Sequence, residues 1–539
     1  MNTEATDIVV VGSGGAGLIA ALAARAAGAA EVVVLERSSF LGGTTAVSGG
    51  MLWVPNNHHM VDSDMSDSAE EALAYLSRLT MGQVDEPLIT TFVEMAPVML
   101  RFLESQAAVR LVPVMRPDYH PDWPGGKPGG RSLDNEPFDT SVLGPLAAHL
   151  RKGPHFPPIT YGERKQWGSP ENFDWGLIAE RIERRIVTLG GALVGGLLKG
   201  CLDHNVSFRL NARVRRLILD GETVAGVETE DTGGHRASLL ARHAVILATG
   251  GFEWNPAMKR AFLRGPEEGP VSPPWNEGDG ILMGMEVGAA LANMGEAWWV
   301  PVIQIPGEEY DGRPLFRHLV DERCRPGAIL VNRLGRRFVN EAANYNDMGK
   351  AFHFFDTSTY SFVNNPAFLV FDHHYKERYP ILAVTPKDPV PPWIARADSL
   401  EGLARVLGIQ PEGLVETAAH FSRHANNGHD PLFGRGQTAN DRYYGDPSHH
   451  PNPCLAPLEV PPFYGLRVAV GSLGTKGGLL TDSRGAVCHV SGRTIRGLYA
   501  CGNVMASAMG PGYPGAGGTL GPGLTFGYLA GRAAAESRR

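Results

Sequence analysis

The chain runs to 539 residues, 43% of them hydrophobic and 20% charged, so it is long enough for two or more domains and disorder is excluded for its bulk. Lys and Arg number 49 against 57 Asp and Glu, a formal charge of −8 with no extended basic run, which argues against a nucleic-acid partner. The 67 glycines and 40 prolines follow no G-X-Y period and predict long shaped loops.

The opening Met-Asn-Thr-Glu-Ala-Thr-Asp lacks the basic region of a secretory signal. Cys201, Cys324, Cys454, Cys488 and Cys501 are widely spaced with no C-x-x-C pair, as free thiols of a reducing compartment are, and the expectation is a cytoplasmic protein. The most apolar stretch, Ile8 to Leu35, is interrupted by glycines and by Arg25 and Glu31, so no integral membrane segment is expected.

In chain order, the β-branched run Ile8 to Val11 predicts a buried parallel strand leading into Gly12-Ser13-Gly14-Gly15-Ala16-Gly17. An Ala/Leu-rich helix over Leu18 to Ala27, ended by Gly28, and a second strand over Glu31 to Leu35 complete a strand-helix-strand unit closed by Glu36. Gly12 allows the tight turn, Gly14 lets backbone approach a pyrophosphate, Gly17 lets the helix pack on the strand, and Glu36 meets a ribose hydroxyl pair. This is a dinucleotide site, and the unit alone leaves NAD and FAD both open.

The following Arg37 to Gly50 is a cluster of glycines and hydroxyls suited to close contact with an extended cofactor. Its E-R-x-x-x-x-G-G-T-T-x-x-S-G-G pattern resembles the flavin-binding start of the fumarate reductase/succinate dehydrogenase flavoprotein superfamily. Relatives with covalent flavin carry a His in this segment; Gly43-Thr44-Thr45 stands here, so the resemblance implies non-covalent FAD.

Further along, Arg213 to Leu219 and Thr223 to Val227 flank Asp220-Gly221-Glu222 as a hairpin, and Ala244 to Ala248 is a buried strand ending at Thr249-Gly250-Gly251. From about Trp298 to Leu473 the chain becomes aromatic and Pro-rich, with short apolar runs at Ala328 to Val331 and Phe368 to Phe371, and reads as an inserted substrate lobe. The Gly-rich style returns at Gly474 to Gly478 and in Gly497-Leu498-Tyr499-Ala500-Cys501-Gly502-Asn503, similar to the superfamily's closing strand. The expected fold is α/β: a discontinuous Rossmann-like FAD-binding domain, 1–296 and 475–539, around an α+β catalytic domain, 297–474.

Tyr119, Tyr345 and Tyr513 each stand in a Gly/Pro or motif context: Pro117-Asp118-Tyr119, Gly335 through Arg337-Phe338, Asn340-Glu341 and Tyr345, and Tyr513-Pro514-Gly515-Ala516-Gly517. With Ser472 to Asp482 they resemble the flavin-dependent 3-ketosteroid Δ1-dehydrogenases over essentially the whole chain, most weakly from Asp134 to Gly200. The resemblance implies that Tyr513 and the Gly517 N–H hold the ketone oxygen, that Tyr345 takes the α-proton with Tyr119 hydrogen-bonded to it, and that a β-hydride goes to the flavin. It assigns the cofactor to Gly12, Ser13, Gly14, Gly15, Ala16, Gly17, Glu36, Arg37, Gly42, Gly43, Thr44, Thr45, Ser48, Gly49, Gly50, Val214, Ala248, Thr249, Gly250, Asp279, Gly502, Asn503, Thr519 and Leu520.

The implied activity is FAD-dependent α,β-desaturation of a small apolar cyclic ketone, foremost 3-ketosteroid 1,2-desaturation. The alternatives are a 4-ene-forming steroid dehydrogenase or a desaturase of cyclohexanone-type rings, with a fumarate-type reductase as the contrasting class. The electron acceptor stays open. Two departures bear on the substrate. His120 replaces a second Tyr and is expected to be exposed, and Gly153 to Trp175, with Phe156, Tyr161, Trp167 and Phe173, differs from the steroid enzymes. The adjacent pairs His58-His59, His373-His374 and His449-His450 are expected to face apart, so no metal is assigned. Met51, Trp53, Trp298, Phe352, Phe354, Phe355 and Met509 are candidates for the substrate wall.

Overall fold

The computed structural model describes residues 3–63, 65–154 and 157–537, so Phe156 and the first two residues lie outside the described residues. Ile8 to Val11 forms the last part of the strand Thr3–Val11, whose neighbours on both sides are parallel: Val32–Leu35, with Val10 opposite Val34, and Arg236–Leu247, with Val10 opposite Ile246. Each of these runs is apolar and buried, and the helices Gly15–Ala26 and Leu520–Glu536 pack on them. The helix Gly15–Ala26 starts earlier than its Ala/Leu run, at Gly15, since Gly14 and Gly15 already belong to the turn that enters it.

Ser207–Arg209 adds to one edge in parallel, and Thr494–Ala500, followed by antiparallel Ala486–Cys488, adds to the other. Arg213–Asp220 and Thr223–Glu230 form the expected antiparallel hairpin, and the second arm pairs onward with the start of Arg236–Leu247. The C-terminal helix Leu520–Glu536 lies against Gly15–Ala26 at close range: a Cβ on Gly531 would stand 2.2 Å from the Ala20 carbonyl oxygen. The final helix of the chain therefore packs directly on its first.

A second, largely antiparallel sheet runs Arg313–His318, Ala297–Tyr310, Phe463–Thr475, Ala367–Phe371, Ala328–Val331. Much of this sheet packs in two cores of its own, while Trp298, Val300, Val302 and Ala469 join the core of the first sheet. The short strand Gly269–Pro270 also pairs with it, so strand pairing crosses into this sheet earlier than residue 297. Beyond the strand Ala328–Val331, Arg337 binds Glu341 through two hydrogen bonds of 2.7 and 2.6 Å, Asp430 joins at 2.8 Å, and Arg435 caps the carboxylate at 3.3 Å. This buried cluster fixes the turn from which the short helix Tyr345–Ala351 starts, with the Asn344 side chain accepting from the Asp347 N–H.

Candidate active site

One cleft enclosing about 2490 Å³, its open mouth included, lies between the two sheets. Its lining includes every expected cofactor residue except Gly17 and Gly42. Those two act from behind the wall: a Cβ on Gly17 would fall 2.1 Å from the Gly12 carbonyl oxygen, and one on Gly42 would meet Ala46 and Val194 at 2.7 and 2.9 Å. Gly12 has φ +108°, and a Cβ there would stand 2.4 Å from the Ala248 oxygen, so the turn needs glycine twice over.

The Glu36 carboxylate accepts from Ser13 Oγ at 2.6 Å, Ser13 N at 3.2 Å and Ser38 N at 2.9 Å, with acceptor capacity left toward the cleft. Arg37 and Arg213 pair with Glu277 and Asp279, closing the rim beside it. Thr249 lines the cleft, and among the described residues its buried Oγ1 has no hydrogen-bond partner. A wall of glycine amides and hydroxyls with one carboxylate fits an adenine dinucleotide. The segment 37–50 that lines this end of the cleft contains no His.

Beyond this wall the three tyrosines meet. The Tyr119 hydroxyl donates to the Tyr345 hydroxyl at 2.8 Å, and the rings pack edge to face with centroids 5.3–5.5 Å apart. Tyr345 and Tyr513 face the cleft, whereas Tyr119 stands behind Tyr345. Burial pushes all three phenols above their ordinary pKa of 10, and the nearby Arg116 charge pulls each back. Thr519 Oγ1 donates to Tyr513 Oη at 3.1 Å. Gly517, φ +95°, also lines the cleft, and among the described residues its N–H donates to no acceptor.

The loop that carries Tyr513 and Gly517 is held at several points. Lys476, wholly buried, donates to the carbonyls of Pro511 at 3.1 Å and Gly512 at 2.6 Å and to Asn346 Oδ1 at 3.2 Å. Tyr75 Oη and Tyr119 N donate to the Pro514 carbonyl, and Ser132 Oγ to that of Ala516. Burial pushes the Lys476 pKa down, yet three acceptors around one nitrogen match the three donors of the ammonium form. The Ser472 to Asp482 motif thus positions the tyrosine loop.

Several expectations need correction. His120 is not exposed: it stacks on Trp123 at 3.8 Å and pairs with Asp347 at 2.9 Å, because the loop carrying it folds over the start of the Tyr345 helix. His58 and His59 do not face apart; both reach Glu104, at 3.0 and 2.6 Å, since they open a short helix packed against the long one that bears Glu104. Of the proposed substrate wall only Met51 lines the cleft; Trp53, Trp298, Phe352 and Met509 are buried core, and Phe354 and Phe355 are exposed.

What the sequence reading missed is a polar end of the cleft, made by Arg116, Tyr161, Arg164, His318 and Asp321. Tyr161 and Arg164 come from the helix Tyr161–Trp167, opened by a capping box between Thr160 and Glu163 and tied down by Arg181 on Glu163 at 2.7 and 2.6 Å. The T-x-x-E signal was present at 160–163, but nothing local says that the helix faces the cleft. Arg164 pairs with Asp321 at 2.7 Å, and Arg151 with Asp311 at 2.6 Å.

The family described as FAD binding domain matches residues 7–520, and the chain belongs to it. It is a FAD-dependent oxidoreductase, homologous to 3-oxosteroid and 4-oxocyclohexanecarboxylate dehydrogenases. It is 42% identical to the 4-oxocyclohexanecarboxylate 2-dehydrogenase of Sinomonas cyclohexanicum, over 98% of this chain and 92% of that protein. It is 37% identical to the 3-oxosteroid 1-dehydrogenase of Mycobacterium tuberculosis, over 98% of each. The structure of a 3-ketosteroid Δ1-dehydrogenase from Sterolibacterium denitrificans with 1,4-androstadiene-3,17-dione superposes with a TM-score of 0.92 at 37% identity, covering 99% of this chain and all of that one. Among the described residues no helix is long and apolar enough to cross a membrane.

Proposed function

We propose that this protein removes two hydrogens from adjacent ring carbons of a cyclic ketone, the first of them next to the carbonyl. The observation that carries the reading is the tyrosine cluster: a hydroxyl and an unpaired backbone N–H, from Tyr513 and Gly517, share the cleft with the Tyr345 hydroxyl. An α-proton beside a ketone leaves only if the charge developing on oxygen is stabilised, and the Tyr513 hydroxyl and Gly517 N–H supply two donors for it. Tyr345 acts in its ionised form: the phenolate oxygen takes the proton and is left a neutral phenol, and the Tyr119 hydroxyl, which donates to that oxygen, stabilises the phenolate before the transfer. The bound flavin, held non-covalently, supplies a hydride acceptor for the β-carbon.

We read residues 1–296 and 475–539 as the cofactor domain and 297–474 as the domain that brings in Tyr345. The relatives named above act, by their names, on a 3-oxosteroid and on 4-oxocyclohexanecarboxylate, and the tyrosine geometry suits either ring. The charged groups at the far end of the cleft favour the smaller, polar ring over the apolar steroid expected from the sequence. They are also what a dicarboxylate reductase uses, but such an enzyme needs no paired tyrosines.

The test is anaerobic mixing of the flavin-loaded enzyme with 4-androstene-3,17-dione, cyclohexanone and 4-oxocyclohexanecarboxylate, and of the reduced enzyme with fumarate, with product identification. Bleaching by a ketone with formation of the enone supports the reading. Reoxidation by fumarate with no ketone turned over would overturn it.

A further inference from the structure

Five arginines line the cleft. Four have carboxylate partners: Arg37 and Arg213 in the cluster with Glu277 and Asp279, Arg151 on Asp311 and Arg164 on Asp321. Arg116 is different. Only 7% exposed, it has no carboxylate within ion-pair distance among the described residues. Its Nη2 donates to the Tyr444 hydroxyl, its Nη1 points at Met51 Sδ, a weak acceptor 3.6 Å away, and its Nε has no partner. Asp321 attracts it from a distance, but that carboxylate is engaged by Arg164, and Arg325 also acts on it more strongly.

A guanidinium is always charged, and burying one without a counter-ion costs several kcal/mol. The faces of Tyr161, Tyr444 and Tyr443, at 4.9, 5.4 and 5.7 Å, offset part of this cost. They also form a cage with one side toward the cleft. Arg116 itself lines the cleft, and its buried charge and the aromatic walls together describe a site for an anion.

The location narrows the ligand. Met51 joins Arg116 to the oxyanion loop: the carbonyl oxygen of Met51 is one of the atoms a Cβ on Gly517 would strike, at 2.7 Å, while its sulfur faces Arg116. The charge of Arg116 also acts on the Tyr345 and Tyr513 phenols. An anion on Arg116 and a ketone oxygen at Tyr513 and Gly517 therefore lie within one small molecule's span.

We propose that Arg116 binds a carboxylate carried on the ring of the ketone substrate, making the ligand of this cleft a cyclic keto acid. The proposal rests on the desaturase reading for the ketone end and on the orphaned guanidinium for the acid end. Tyr161, at the N-terminal end of its capped helix, forms one wall of the acid subsite, which gives the divergent segment 153–175 a role in substrate choice.

The test uses the flavin-loaded enzyme and its Arg116→Gln and Arg116→Lys variants, with flavin content and absorption spectrum checking each fold. Anaerobic bleaching is followed with 4-oxocyclohexanecarboxylate and with its uncharged methyl ester. Charge-assisted hydrogen bonds of ordinary strength predict that wild type prefers the acid by about 100-fold in rate over Kd, that Arg116→Gln brings the ratio near one, and that Arg116→Lys lies between. Equal use of acid and ester by wild type, or an acid preference that survives in Arg116→Gln, overturns the proposal.

Cyclohexanecarboxylate, which has no ketone to react, gives an independent arm read from its perturbation of the flavin spectrum. If no ketone bleaches the flavin but this acid binds wild type and not Arg116→Gln, the desaturase reading fails and the anion subsite stands. If it perturbs wild type and the variant alike, or neither, the subsite fails.

Discussion

Replacing Gly517 with alanine places a methyl carbon 2.5 Å from Leu52 C, 2.5 Å from Trp53 N and 2.7 Å from Met51 O. All three are backbone atoms of one strand entry, so no side chain can swing aside. Reaching an ordinary contact requires the loop to retreat by about 0.9 Å, and alanine at φ +95° adds strain of about 1–3 kcal/mol. A donor designed to sit about 2.7–3.1 Å from an oxyanion is then beyond hydrogen-bond range, a loss that in other oxyanion holes lowers kcat by about 10²–10³. The assay is single-turnover bleaching by the best ketone, with flavin occupancy measured on the same sample. Tyr513, which supplies the second donor, stays in place, so residual activity is expected. A Gly517→Ala enzyme that keeps its flavin and bleaches within threefold of wild type would show that the Gly517 N–H stabilises nothing in the transition state.

Tyr345→Phe should retain FAD and lose turnover. Because burial lifts the Tyr345 phenol above 10, the wild-type rate should still be rising at the alkaline limit of stability; a plateau near neutrality identifies another base. Glu341→Ala leaves Arg337 and Arg435 without their shared carboxylate and should cost about 3–5 kcal/mol in denaturant unfolding, an unchanged midpoint being the contrary result. Arg337 and Arg435 hold Glu341 below its ordinary pKa despite burial, so the stability it contributes is present above about pH 4.5 and is lost as pH falls through the folded-state value, a loss that Glu341→Ala should not show. Gly12→Ala should yield colourless protein, since its Cβ would meet the Ala248 oxygen at 2.4 Å; full flavin occupancy refutes that role for the turn.

The cofactor end of the cleft was legible in the sequence because its determinants are local. A strand, a turn that only glycine can make and a helix follow one another within thirty residues, and Glu36 ends the next strand. Gly42 marks the limit of that reading: its missing side chain is needed by Ala46 and Val194, and Val194 is a neighbour that no motif names. The tyrosines were legible through motifs, yet their meeting was not. The chain positions 119, 345 and 513 are brought together by a helix start, a loop over it and a lysine-pinned turn.

The acid end was not legible at all. Arg116 looks like any arginine in a polar loop, and its meaning depends on a comparison made in three dimensions: the other arginines of the cleft, Arg37, Arg151, Arg164 and Arg213, each pair with a carboxylate, leaving one buried charge over. Sequence alone determined the nucleotide-binding unit, because its backbone turns and residue types lie within one short window, whereas the flavin and the roles of the tyrosines came through the resemblance to a family. Which charges are cancelled, which side chains face the cleft and how much of the ligand must be polar were decided only by tertiary structure, since burial and pairing are relations between residues far apart in the chain.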